Sequence, residues 1–189
     1  AHGSTPEEGI NAILHMNHVI DKLEEDMIPE LKERNHPLLG NPTINIGKIR
    51  GGEEANIVPG KCVIDVDRRW IPGESVESVI GEIEKILKKN HEEEEDFKGR
   101  LHRTDELTEV EHGPLEIDPD HLLVRTFRNF AQEFKAGKVE EVGLGYWTDG
   151  ALAAQKGIPT LIFGPGDAEK AHTEDEYVRI DNLKASAMI

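Results

Sequence analysis

Between Ser75 and Lys89 six apolar residues, Val76, Val79, Ile80, Ile83, Ile86 and Leu87, fall at i, i+3, i+4, i+7, i+10 and i+11. That spacing gathers them on one stripe of an α-helix, and such a stripe must find an apolar surface to cover it. The residues just before it supply one. Thr43–Arg50 sets Ile44 and Ile46 on one face, and Lys61–Trp70 alternates Cys62, Ile64 and Val66 against Asp65 and Asp67, the period-two pattern of half-buried strands. Gly51-Gly52 and Pro59-Gly60 bracket the loop between them, which holds Asn56, and Pro72-Gly73 turns the chain into the helix. An earlier helix is predicted from Thr5 as N-cap, with Pro6 at its first position and Glu8 reaching back. Along it Ile10, Ile13, Leu14, Ile20, Leu23 and Met27 recur near helical spacing, until Pro29 ends or kinks it. A polar strand is predicted over Phe97–Thr108. The order is helix, strand, strand, helix, strand. One strand ahead of Ala1 would complete β-α-β-β-α-β, the ferredoxin-like plan.

The pattern changes near Gly113-Pro114, so two regions are expected, 1–112 and 113–189. In the second, Asp118-Pro119 opens a helix carrying Leu122, Leu123, Phe127, Phe130 and Phe134. Lys138–Leu144 is a candidate strand, and Asp149 a candidate N-cap for a short helix, Ala151–Lys156, closed by Gly157. A second strand, Thr160–Phe163, stops at Gly164-Pro165-Gly166. Strand, helix and apolar strand describe a βαβ unit of a parallel sheet. Two strands cannot cover such a sheet, so the region is expected to be the closing part of a larger α/β domain. Six residues past Gly166 stands His172. Thr173 and Glu176 have the spacing of a capping box for a last helix running to about Leu183. His172 would then sit at the carboxyl end of a strand, the side on which open α/β sheets place ligands.

Charge narrows the partners. With 38 acidic against 22 basic residues the formal net charge is −16, which repels phosphate backbones and anionic lipid and argues against nucleic-acid or membrane partners. Glu92–Asp96 is the densest acidic patch and reads as a linker after a helix. The single cysteine, Cys62, excludes an internal disulfide and a thiolate zinc cluster and suits a reducing, cytoplasmic compartment. No apolar run has the length of a membrane span. Gly143-x-Gly145 fails as a nucleotide fingerprint, because its final glycine would fall on Thr148.

Three stretches, Ala1–Ile13, Gly51–Ser75 and Thr148–Val178, resemble in that order the dinuclear-zinc exopeptidases and deacylases, the family of acetylornithine deacetylase, succinyl-diaminopimelate desuccinylase, glutamate carboxypeptidase and aminoacylase. The resemblance implies a ferredoxin-like lid, or dimerisation, domain followed by the end of an α/β catalytic domain, and hence a piece of a longer protein. It implies further that His172 ligates one of two zinc (or cobalt) ions, and that His2 reaches into the partner subunit's site to help hold a developing oxyanion. The alternative for Ala1–Ser4 is the remnant of a cloning linker, but Ser4–Ile13 continues the family pattern, which favours the native reading. Asn56 matches a residue that hydrogen-bonds substrate near the scissile amide. Arg69 matches the arginine that pairs with the substrate's carboxylate, and a one-residue slip would exchange it with Arg68. Gly164, Pro165 and Gly166 match the loop whose backbone amides meet the same carboxylate.

One departure is large. The family's His-x-Asp motif, bridging aspartate and Glu-Glu pair, which supply the other ligands and the general base, belong before the lid, and nothing here matches them. Catalytic zinc takes about three protein ligands, so this chain alone is expected neither to bind zinc tightly nor to turn over. The whole protein is expected to hydrolyse an amide of an N-acyl amino acid or small peptide with a free carboxylate, as a homodimer through its lid. The rival is a non-catalytic dimerisation module or pseudoenzyme of the same family.

Overall fold

The computed structural model describes residues 1–104, 112–134, 139–167 and 170–189, which divide into two units, Ala1–Val110 and Glu111–Ile189. In the first, β1 (Thr43–Gly51) and β2 (Cys62–Arg69) pair antiparallel, from Thr43 opposite Arg69 to Gly51 opposite Cys62, with a bulge between Ile46 and Lys48. Ile44, Ile46 and Ile64 turn to the helices, and Asp65, Asp67 and Arg69 turn away. The covering helices are α1 (Ala12–Lys22), α2 (Ile28–Lys32) and α3 (Val76–Glu93). Ser75 caps α3 in a reciprocal box with Ser78. The stripe read from the sequence packs as expected: Ile86 is buried and Ile83 and Leu87 lie against the core. Asn90, fully buried one turn on, donates to the Ile86 carbonyl at 2.9 Å and accepts from Lys22 Nζ at 3.4 Å.

The first helix departs from expectation at its start. Pro6–Glu8 is a single 3-10 turn, Gly9 is extended, and Asn11 is the true N-cap, accepting from the Ile13 and Leu14 amides. Ile10, Ile13 and Leu14 are consequently exposed. At the other end Pro29 does not stop the helix. The turn before it, Leu23–Met27, widens so that Ile28 donates to the Leu23 carbonyl five residues back, and α2 continues. The widening has a packing consequence. The buried residues Val19, Leu23, Met27 and Leu31 are each four apart, and at 3.6 residues per turn such a row drifts about 40° per step. A wide turn takes out part of that drift and holds the row against the sheet.

No strand forms over 97–104, and 105–108 lie outside the described residues. Phe97 instead turns inward, to 4% exposure. Its ring lies against His15 and His91, and the chain folds so closely over it that a Cβ on Gly99 would stand 2.4 Å from Phe97 Cζ. Burying this phenylalanine outweighs extending the segment along a sheet. The Glu94 carboxylate, just past α3, meets His15 Nε2 at 3.0 Å and His18 Nδ1, so the acidic patch begins as a clasp between helices.

Four charges close the far end of β2. Glu74 meets Arg34 at 2.7 Å and Arg68 at 2.8 Å, and Glu82 meets Arg68 at 3.0 Å and Arg34 as well. Glu74 also accepts from the Ile71 amide at 3.0 Å. Burial pushes the Glu74 carboxyl up, but the hydrogen bonds from Arg68, the Ile71 N–H and Arg34 together hold it below its ordinary value of 4.5. A lowered folded-state value means stability that is present above 4.5 and lost as pH falls through the folded value. The expected outcome of thermal melts from about pH 6 to about pH 3 is a loss of Tm below about 4.5 that is smaller in Glu74→Gln, since the variant has no such proton to bind.

The second unit holds α4 (Leu122–Phe134), α5 (Gly150–Gln155) and α6 (Ile180–Ser186). His121, not Asp118, sits at the α4 entrance, its Nδ1 accepting from the Leu123 amide at 3.1 Å. Gly157, at φ 75°, ends α5 in a Schellman turn, with Gly157 N–H on Ala154 and Ile158 N–H on Ala153. Asp149 makes no side-chain cap bond. The two expected strands are absent: neither 139–144 nor 160–163 pairs with a neighbour, and 138 lies outside the described residues. A strand exists only by its ladder, and no described segment lies alongside to provide one. Thr160–Phe163 nevertheless packs, with Ile162 over Gly150 and the Phe163 ring edge-on to Phe127 at 4.7 Å. The last helix, expected from Thr173 to about Leu183, starts late: turns run to Asp175 and α6 begins only at Ile180.

Candidate functional site

The first three residues lie along the hairpin loop. Gly3 N–H donates to the Asn56 carbonyl at 2.7 Å and Val58 N–H to the Ala1 carbonyl at 3.0 Å, which makes His2 and Ile57 an antiparallel bridge. The contact demands a glycine: a Cβ at Gly3 would stand 3.0 Å from the Asn56 carbonyl oxygen. His2 and Asn56, 54 positions apart, are thereby neighbours, both exposed. The chain then turns, Thr5 N–H donating to the His2 carbonyl at 3.0 Å. His2 Nδ1 accepts from the Ser4 amide at 3.2 Å and lies 2.8 Å from Ser4 Oγ.

Arg69 occupies the opposite end of the hairpin. Register puts Arg68 on the helix side, 7% exposed and held by Glu74 and Glu82, and leaves Arg69 outward at 60%, paired with Asp67 at 2.8 Å. From Cys62 at the loop end, β2 runs seven residue steps to Arg69, about 23 Å at the usual strand rise. His2 and Asn56 therefore lie together, and Arg69 lies apart from both. Cys62 is half-buried between them, its thiol pushed up by burial, which leaves it a poor nucleophile.

Gly164, Pro165, Gly166 and His172 belong to the second unit. Neither glycine has positive φ, and an added Cβ would meet nothing within 4 Å, so packing within the unit does not require them. The Pro165 carbonyl accepts from Asn182 of α6 at 3.4 Å. His172 is exposed and stands in the left-handed region at φ 64°, its N–H donating to Glu176 Oε2 at 2.9 Å. Glu176 does reach back, as in a capping box, but to His172 and with no helix behind it.

Among the described residues no group of three or more histidine, cysteine, aspartate or glutamate side chains is arranged to hold a metal ion. Exposed imidazole is a normal zinc ligand, yet His172 alone does not make a catalytic site, which needs about three. The described residues thus do not fit a two-metal centre by themselves. Sequence reading missed Gly3, Ser4 and the Glu74–Glu82 pair around Arg68. Only the adjacency of His2, Gly3 and Ser4 could have signalled the first two, and a short string of small residues is weak information.

The first unit is of the α+β class, a two-stranded antiparallel sheet covered by helices. A family model described as a peptidase dimerisation domain matches residues 1–95. The acetylornithine deacetylase of Vibrio atlanticus is 32% identical over 185 residues, which are 95% of this chain and 45% of that protein. That of Pectobacterium carotovorum is 34% identical over 97% of this chain and 45% of its own length. The crystal structure of a Staphylococcus aureus tripeptidase shares the fold at a TM-score of 0.70, with 24% identity, over 100% of this chain and 46% of that one. The chain belongs to the M20 peptidase family, and it spans about half the length of the relatives it matches.

Proposed function

We propose that this chain supplies the lid and the closing catalytic segment, residues 1–112 and 113–189, of a metal-dependent amidohydrolase acting on an N-acyl amino acid or small peptide with a free carboxylate. The observation that carries the reading is the bridge that holds His2 beside Asn56 at the loop end of the hairpin, with Arg69 exposed at the other. An extended residue spans at most about 3.6 Å, so a substrate of two or three residues does not reach across about 23 Å. His2 and Asn56 of one protomer serve the Arg69 of another, which a two-fold dimer of lids provides when its axis runs across the hairpins, since opposite ends then lie side by side.

Each residue has a stated part. The Arg69 guanidinium takes the substrate carboxylate, exchanging Asp67 for it. The N–H groups of Gly164 and Gly166 suit a carboxylate, and the openness about both glycines leaves room for its approach. The Asn56 amide holds the acyl side, and His2 Nε2–H faces the carbonyl oxygen as charge develops there. His172 is one ligand of a two-zinc (or cobalt) centre whose other ligands and general base lie outside the described residues. A bound metal would supply an activated water. The whole protein is a cytoplasmic homodimer, in keeping with the lone Cys62 and a net charge of −16.

Arg69→Ala is expected to raise KM for carboxylate substrates about 10- to 150-fold, the worth of a charged hydrogen bond of about 1.5–3 kcal/mol, with little change in kcat. The assay compares N-acetylornithine, N-succinyl-diaminopimelate and dipeptides with their carboxyl esters on the whole protein. Esters turned over as well as acids would overturn Arg69's part. No amide turnover at all, with dimerisation intact, favours the non-catalytic dimerisation module or pseudoenzyme, the alternative that the peptidase dimerisation match also accommodates.

A further inference from the structure

We propose that Ser4 is the positioning residue of His2, holding its neutral ring as the Nε2–H tautomer and aiming that proton outward; the catalytic consequence rests on the reading of His2 given above. A ring nitrogen that accepts from an N–H must present its lone pair, so with Ser4 N–H on Nδ1 the proton of neutral imidazole belongs to Nε2. Ser4 Oγ, 2.8 Å from the same nitrogen, is placed to donate to it too. Turning the ring over would put Cδ2 where Nδ1 stands and forfeit both contacts, so orientation and tautomer are set together. The backbone below is equally constrained: Thr5 N–H closes the turn on the His2 carbonyl, and Gly3 and Val58 pin it to the loop holding Asn56. In the neutral ring the donor is then Nε2–H, on the side of the ring away from the Ser4 contacts. An oxyanion gains most from a donor already aimed and already carrying its proton.

Two measurements test this, and they fail separately. In the full 189-residue chain labelled with 15N-histidine, the ring nitrogens of His2 at mildly alkaline pH are expected to show Nε2 protonated and Nδ1 not, at a tautomer ratio several-fold above that of an unconstrained histidine peptide. Ser4→Ala shifts the ratio toward the peptide's, and Ser4→Thr, which keeps the hydroxyl, restores it. A ratio equal to the peptide's, or a proton on Nδ1, overturns the proposal. In the whole protein Ser4→Ala is expected to lower kcat about fivefold at unchanged KM and unchanged Tm, the worth of one hydrogen bond, with Ser4→Thr near wild type. Wild-type kcat in Ser4→Ala overturns it. If the whole protein hydrolyses no amide, the tautomer ratio still decides Ser4's part. If His2→Ala abolishes turnover while the tautomer is unconstrained, the function stands and the positioning falls.

Discussion

Arg68→Ala is expected to cost the Ala1–Val110 unit about 3–5 kcal/mol of unfolding free energy, the usual effect of removing one partner from a buried ion pair. The magnitude follows from what is left behind. The Arg68 side chain is 7% exposed and satisfies Glu74, 9% exposed, together with Glu82, while its Nη1 also donates to the Arg69 carbonyl. Without it two carboxylates remain in a low-dielectric corner with Arg34 alone, itself raised above its ordinary value by Glu82 and Glu74. Removing a charge together with its acids should hurt far less, because a buried network is worth little against well-packed apolar residues. Urea unfolding of Arg68→Ala beside the triple variant Arg68→Met, Glu74→Leu, Glu82→Leu checks both statements. A loss under about 1 kcal/mol for Arg68→Ala would mean that water reaches the carboxylates and the corner is not buried in solution. The corner also anchors the strand end that presents Arg69, so looseness there should reach the carboxylate site.

His2→Ala is expected to lower kcat of the whole protein about 10²–10³-fold with a much smaller change in KM, as removal of an oxyanion donor does. The proposed two-fold dimer makes a sharper version possible. If each site takes Arg69 from one protomer and His2 from its partner, a heterodimer of His2→Ala and Arg69→Ala protomers has one site with both residues and one with neither. Mixing the two variants in equal amounts, with subunit exchange and at substrate well below the raised KM, should then recover about a quarter of wild-type activity, because about half the dimers are mixed and each has one intact site. Were both residues to act within one protomer, every mixed site would carry one defect and nothing would be recovered. The hairpin length favours recovery.

Much of the lid was legible because its information is local. The stripe from Val76 to Leu87, the Ser75 start and the alternation of Cys62, Ile64 and Val66 with Asp65 and Asp67 are periodicities, and a periodicity states which face is apolar. The errors fell where two local signals competed. Thr5-Pro6-Glu7-Glu8 has the residues of a helix start, yet Gly9 follows and Asn11 caps better, so the helix begins six residues later. Pro29 is a breaker by rule, but the row Val19, Leu23, Met27, Leu31 gains enough from continuous burial that the helix widens a turn and goes on. Phe97 carried a strand reading until its own burial proved the stronger term.

For the site, residue identity was readable and arrangement was not. That an imidazole, an amide and a guanidinium were candidates came from His2, Asn56 and Arg69 and the strings around them. Which of two adjacent arginines faces outward, and that residues 2 and 56 are neighbours, came only with the hairpin register and the bridge through Gly3. Likewise Thr160–Phe163 has the composition of a strand but no partner to make it one. By itself the sequence determined where this chain turns, which faces are greasy and which side chains are candidates for chemistry, since those depend on neighbours within a few residues. The folded chain decided which distant faces meet, because burial and hydrogen bonding are satisfied between segments, and no short window of residues contains both partners.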